Sequence, residues 1–272
     1  MTPLLKWAGG KRQLLPALIE RMPEAYNRYY EPFFGGGALF FELSPCKSII
    51  NDYNSKLINF YIVVRDHLNE VIDYLKLYQS EYNALITQKE KNEYYYNKRK
   101  EYNDDLAFNE LSVKNASLFL FLNKACYNGL YRVNGEGLFN TPSGKRARLN
   151  LYNEENIFEC SKALAGAKIL NVDFEEACKG ARKGDFVYFD SPYYDTFDTY
   201  QAGGFSESDH KRLYNLFKRL SDRGVYCLLS NSDTDFIKEL YKEYHTEVVP
   251  VKRMICCNGT LREGTEVIIR NY

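Results

Sequence analysis

Glu31-Pro32-Phe33-Phe34-Gly35-Gly36-Gly37, followed fifteen residues later by Asp52, is the stretch on which the fold is read. It lies between an expected strand, ending in the Glu31–Phe34 run, and an apolar helix start; a second short strand, Ser48 to Asn51, closes on Asp52. Glycines at such a place let backbone approach a ligand closely while the N-terminus of the next helix points at it. An acid at the end of the following strand accepts hydrogen bonds from ribose hydroxyls in such folds. Alone, a triple glycine is more often an ordinary turn than a cofactor loop, and the pairing with Asp52 is what puts a nucleotide-like cofactor on an equal footing. Gly10-Lys11 is no phosphate loop, because the earlier glycine and the following Ser/Thr are missing.

Working outward, a helix is expected from Lys11 to Arg21. From Tyr61 to Asn109 the chain is dense in Tyr, Asn, Lys and Glu and reads as polar helices. An apolar helix follows from Ser112 to Tyr127, then a Gly/Asn-punctuated segment, Asn128 to Gly144, suited to a hairpin and loops. Alternation resumes after about residue 150: helix Glu154–Ala165, strand Lys168–Val172, strand Phe186–Asp190, helix Glu207–Asp222, strand Val225–Leu229 and helix Asp235–Tyr244. Two β-rich segments, Glu247–Lys252 and Glu266–Ile269, end the chain. The picture is an α/β sheet interrupted by a mostly helical insertion.

At 272 residues with 45% hydrophobic content, the chain suits one α/β core carrying a sizeable insertion. No run approaches eighteen apolar residues, and Met1–Gln13 lacks a signal-peptide core, so a cytoplasmic protein is expected. Seven scattered cysteines without a CxxC pair, and His67, His210 and His245 far apart, give no metal or disulfide framework. Thirty-six basic residues balance thirty-six acidic ones, which argues against a nonspecific nucleic-acid coat. A local basic stripe exists nonetheless: Lys124, Arg132, Lys145, Arg146 and Arg148, against the single acid Glu136.

Asp190-Ser191-Pro192-Tyr193-Tyr194 follows directly on the apolar strand Phe186-Val187-Tyr188-Phe189. Ligands of open α/β sheets bind at the carboxyl ends of strands. An aromatic amine is a poor nucleophile because its lone pair is delocalised into the ring. Two acceptors aimed at its hydrogens shift the nitrogen toward a tetrahedral state and free that pair. The Asp190 carboxylate and the Ser191 main-chain carbonyl are such acceptors, and Tyr193 offers a face for an extruded base. The same residues also read as an acidic strand end with a proline turn.

Four segments, in order, resemble the Dam-type (D12 class) DNA adenine N6-methyltransferases: Lys6-Trp7-Ala8-Gly9-Gly10-Lys11, Glu31–Gly37, Asn123–Gly144 with its YNGLYRVN…GLFNTP strings, and Asp190–Tyr194. Weaker similarity runs through Leu229-Ser230-Asn231 and Asn258-Gly259. The resemblance implies a Rossmann-like class I S-adenosylmethionine-dependent methyltransferase sheet, residues 1–60 and 149–272. It also implies an inserted, mostly helical target-recognition domain with a β-hairpin, residues 61–148. It implies S-adenosylmethionine as cofactor, contacted by Trp7, Lys11, Phe34, Gly35, Gly37, Asp52, Asp173 and Asp190, and a catalytic turn of Asp190, Ser191, Pro192 and Tyr193. Double-stranded DNA would be met by Arg132 on a guanine edge, Tyr127 and Asn128 as a wedge, and Leu130 and Pro142 on a thymine methyl. Lys6 would meet the first base pair, with Asn140 nearby and Lys145 and Arg146 on phosphates.

The sequence departs from the usual Asp-Pro-Pro-Tyr at Ser191, a position that supplies only a main-chain carbonyl, and Lys145 stands where arginine is common. GATC is the implied target, methylated by a monomer, with a cognate restriction endonuclease as a candidate partner. Two alternatives stay open: an amino methyltransferase for another GAT-containing site, and a sequence-specific DNA-binding protein with impaired catalysis. A cytosine-C5 enzyme is excluded, since its Pro-Cys nucleophile would follow the fourth strand and Pro45-Cys46 follows the first helix.

Overall fold

A computed structural model of the chain describes residues 1–7, 9, 11, 13–105, 112–194, 204–252 and 263–272. Ala8, Gly10 and the Asn258-Gly259 pair lie outside the described residues. Seven strands form one sheet: β1 (Tyr29–Glu31), β2 (Ser48–Asn51), β3 (Ala167–Leu170), β4 (Phe186–Phe189), β5 (Tyr226–Ser232), β6 (His245–Lys252) and β7 (Glu263–Arg270). Their order is β3-β2-β1-β4-β5-β7-β6. The first five are parallel, and β7 inserts antiparallel between β5 and β6. β4 is buried at all four residues, as a central parallel strand covered on both faces must be. Tyr188 faces one apolar core, while Val187 and Phe189 face the other.

Ten helices are described: α1 (Leu15–Glu20), α2 (Ala38–Leu43), α3 (Ser55–Asp66), α4 (Leu68–Ala84), α5 (Gln88–Asp105), α6 (Val113–Ala125), α7 (Glu154–Ala165), α8 (Phe174–Ala177), α9 (Glu207–Asp222) and α10 (Asp235–Leu240). The first helix begins later than the expected Lys11, because Pro16 is favoured in a first turn and excluded from a helix interior. Ahead of it the Lys11 carbonyl accepts from Leu14 N and Leu15 N, both at 2.9 Å. β1 likewise stops at Glu31 rather than Phe34, since Pro32 has no N–H for the ladder. α10 ends at Leu240, four residues short of Tyr244.

The larger apolar core runs unbroken from the sheet through α3, α4 and α6. α5 is different: among its described side chains only Tyr95 and Tyr102 are buried. Its inner face is polar, at helical spacing. Asn92 Oδ1 accepts from Ser143 Oγ (3.0 Å), Tyr95 OH donates to the Thr141 carbonyl (2.8 Å), and Arg99 Nη1 reaches the same carbonyl (3.3 Å). Asn103 exchanges two bonds with the Phe139 main chain, at 3.0 and 2.9 Å. These side chains satisfy main-chain groups of the 139–143 segment on the side that faces α5. The 128–144 segment is more irregular than the expected hairpin. It opens with a tight turn, Tyr127–Gly129, and returns through two isolated antiparallel bridges, Val133↔Phe139 and Cys126↔Ser143.

Candidate active site

β1 and β4 are neighbours whose next partners, β2 and β5, lie on opposite sides, so a crevice opens at their carboxyl ends. The loop after β1 forms one wall. Gly35 and Gly37 have φ of +49° and +65°; a Cβ would stand 2.9 Å from the Trp7 ring at Gly35, and 2.4 Å from the Phe34 ring at Gly37. Both positions therefore require glycine. Asp52 holds this loop: its Oδ2 accepts from Gly35 N at 2.8 Å and its Oδ1 from Asn54 N at 2.9 Å. Burial raises the Asp52 pKa against the opposing pull of those amides. Asn51, which sequence reasoning missed, ties three strand ends together. Its Nδ2 donates to the Pro32 and Val172 carbonyls, both at 3.0 Å, and its Oδ1 accepts from Val172 N at 2.9 Å.

The turn after β4 forms the other wall. Asp190 Oδ1 lies 2.9 Å from Lys11 Nζ and accepts from Ser230 Oγ at 3.2 Å. Burial raises the Asp190 pKa, Lys11 opposes the rise, and Glu266 adds to it. Lys11, 6% exposed, also donates to the Gly9 carbonyl and sits 4.2 Å above the Tyr193 ring centroid. Tyr193 OH donates to Glu266 Oε2 at 2.6 Å. Beneath the site, the buried Glu31 accepts from Tyr29 OH at 2.7 Å. Burial holds its carboxyl well above the ordinary value; the Tyr29 bond opposes this and the charge of Asp190 reinforces it.

Asp173 caps α8 by accepting from Glu175 N at 2.9 Å, and both its oxygens accept from Arg212 Nη2 at 3.0 Å. The Arg212 guanidinium lies 4.8 Å from the Phe174 ring centroid, and Phe174 packs on Phe33 and Phe205. This aromatic patch borders the crevice on the β2–β3 side. No local signal marked Arg212, which lies 39 residues from Asp173.

Trp7 links this site to the 127–144 segment: it stacks on Tyr131, centroids 5.3 Å apart, while covering Gly35 and Gly36. The Lys6 stem packs over Gly129, and Asn123 exchanges bonds with the Lys6 main chain, both at 2.8 Å. Tyr127 is 58% exposed, and its amide donates to the Pro142 carbonyl. Asn128 takes a left-handed φ of 54°. Arg132 is exposed but held: its Nε donates to Asn140 Oδ1 at 2.7 Å. Pro142 and Lys145 are exposed, Leu130 and Arg146 half-buried. Lys6, Tyr127, Asn128, Arg132, Asn140 and Pro142 are thus brought onto one lip; Lys145 and Arg146 continue along the chain from it.

A seven-stranded mixed α/β sheet with loops gathered at its switch point is the architecture of class I methyltransferases. Residues 7–255 match the D12 class N6 adenine-specific DNA methyltransferase family, and the chain belongs to it. It is similar to the Type II methyltransferase M1.LlaDCHI of Lactococcus lactis subsp. cremoris, 40% identical over 100% of this chain and 96% of that protein. The Type II methyltransferase M.MjaIII of Methanocaldococcus jannaschii is 38% identical over 99% of each. A DNA adenine methylase of Salmonella typhi is 30% identical over 98% of this chain and 94% of its own. The chain is therefore an adenine-specific DNA methyltransferase, of a family that generally uses S-adenosylmethionine. Among the described residues no cluster of His, Cys, Asp and Glu is arranged to hold a metal, and no helix is long and apolar enough to cross a membrane.

Proposed function

We propose that the protein methylates the N6 amine of an adenine flipped out of duplex DNA, within GATC. The observation that carries this is the placement of the Asp190–Tyr193 turn across the crevice from the Asp52–Gly35 cradle. The residues present fit S-adenosylmethionine: Asp52 offers carboxylate lone pairs for ribose hydroxyls, and the Phe33–Phe174 patch beside Asp173 offers a surface for a purine. Bound there, that cofactor supplies an electrophilic sulfonium methyl.

The chain's own groups do the rest. Asp190 and the Ser191 carbonyl accept the two hydrogens of the adenine amine, which concentrates the lone pair on nitrogen. The Tyr193 ring, held by Glu266, stacks the base. The raised pKa of Asp190 suits a carboxylate that takes up the proton the amine releases. Residues 61–148 act as the recognition domain. There Arg132, aimed by Asn140, reads a guanine edge, and the exposed Tyr127 fills the space the flipped base leaves. Two relatives named Type II methyltransferases support a place beside a cognate restriction endonuclease.

The test is incubation with tritiated S-adenosylmethionine and either a GATC duplex or one with those four bases permuted. Label recovered as N6-methyladenine from the GATC duplex alone is expected. Equal label in the permuted duplex defeats the site assignment, label on cytosine defeats the substrate, and site-specific binding without label favours the catalytically impaired alternative.

A further inference from the structure

β4 ends at Phe189, whose partner is Leu229, yet β5 runs on to Ser232. Beyond Leu229, β5 keeps its antiparallel ladder with β7, at Ser230↔Ile268, Asn231↔Val267 and Ser232↔Glu266. On the side facing β4, side chains replace the ladder. Ser230 Oγ donates to Asp190, Asn231 Nδ2 donates to Ser191 Oγ at 3.3 Å, and Ser232 Oγ donates to the Tyr194 carbonyl at 2.9 Å. Asn231 Oδ1 also accepts from Tyr194 N at 3.1 Å and from Ser232 N at 2.8 Å. Asn231 is 1% exposed and Ser191 2%. One amide group therefore grips the turn at both ends, residues 191 and 194.

We infer that Asn231 is a positioning residue for methyl transfer, clamping the 190–194 turn so that the Ser191 carbonyl and the Asp190 carboxylate converge. The inference rests on the reading of that turn as the acceptor site. Its physical basis is the torsional freedom of serine. Pro192 has a locked φ and confines Ser191 to extended conformations, but nothing covalent fixes φ of Ser191 itself. A swing there redirects the carbonyl, and a misplacement of about 1 Å at a reacting centre costs roughly 10²-fold in rate. The bond to Ser191 Oγ supplies the restraint that a ring would give.

The experiment uses the full chain, saturating tritiated cofactor and unmethylated bacteriophage DNA, scored as total N6-methyladenine so that no recognition sequence is assumed. Asn231→Ala is expected to slow single-turnover transfer about 100-fold while cofactor affinity stays within about twofold. Adding Ser191→Pro to Asn231→Ala is expected to recover at least about tenfold, because the ring replaces the lost tether. Ser191→Ala alone, which removes one hydrogen bond, should slow transfer about fivefold, and it decides the matter if Asn231→Ala does not fold. Hydrogen exchange of the 188–194 peptide reads the same clamp without catalysis and should speed up in Asn231→Ala. Transfer by Asn231→Ala within about threefold of the parent, absence of recovery with Ser191→Pro, or unchanged exchange overturns the inference. A parent chain that makes no N6-methyladenine defeats the proposed function instead, leaving the exchange result to judge the clamp.

Discussion

Replacing Asp190 separates two effects that an activity assay alone would merge. Lys11 Nζ sits 2.9 Å from Asp190 Oδ1, with the two side chains 6% and 20% exposed. Asp190→Ala leaves the ammonium in place with, among the described residues, the Gly9 carbonyl and the Tyr193 ring against it. Removing one partner of a buried pair costs about 3–5 kcal/mol; the partial exposure of Asp190 and the surviving ring contact put this case at about 3 kcal/mol. For a chain of this size, that lowers Tm by about 6–12 °C. Adding Lys11→Met removes the stranded charge and should return about 2 kcal/mol, since an apolar side chain of similar length fits the same space. Catalysis should behave differently. Loss of one of two acceptors is expected to slow methyl transfer by about 10²–10³-fold, roughly 3–4 kcal/mol of barrier, and Lys11→Met should recover none of it. Urea unfolding and single-turnover transfer, measured on the same three proteins, give both numbers. A double variant no more stable than Asp190→Ala refutes the electrostatic argument, and an Asp190→Ala enzyme transferring at near the parental rate refutes the chemical one.

The acid limb of the pH–rate profile should follow Asp190: activity falls as pH drops through its raised pKa, and Lys11→Met moves that limb to higher pH, since Lys11 holds the value down; an unmoved limb assigns the titration elsewhere. Gly37→Ala combines a left-handed φ with a Cβ 2.4 Å from the Phe34 ring, so it should cost about 2–5 kcal/mol in stability and weaken cofactor binding. Calorimetric titration showing parental affinity would contradict that. Arg132→Ala should lose about 1–3 kcal/mol of discrimination at one base pair while cofactor affinity holds; competition among single-substitution duplexes checks it. His210 is buried against Tyr194, Phe205 and Phe236, and burial lowers its pKa to about 4, against the pull of Asp209 and Glu207. Its neutral form is favoured in the fold, so this contribution is complete above pH 6.5 and is lost as pH falls toward 4, by up to about 3 kcal/mol. Urea midpoints should show a steeper acid decline in the parent than in His210→Phe.

Local spacing carried a large share of this architecture. The Glu31–Gly37 run, the acid closing Ser48–Asn51 and the turn after Phe186–Phe189 are each written in consecutive residues, because strand ends, tight glycine turns and carboxyl-end loops are short-range features. α7 and α9 were likewise legible to the residue, with Asn153 and Ser206 as their caps. Where the reading overshot, at Lys11 and at Phe34, a proline set the boundary. Periodicity said nothing of the Lys11–Asp190 pair, the Asn51 knot, the Arg212 grip on Asp173 or the Asn231 clamp. Nor did it reveal that the polar α5 serves as hydrogen-bonding neighbour to residues 139–143. Those contacts join groups 19 to 179 residues apart in the chain. Hydrogen bonds and ion pairs need matched atoms a few ångströms apart, a condition that spacing along a chain cannot express and that is met only after the sheet has set its strand order.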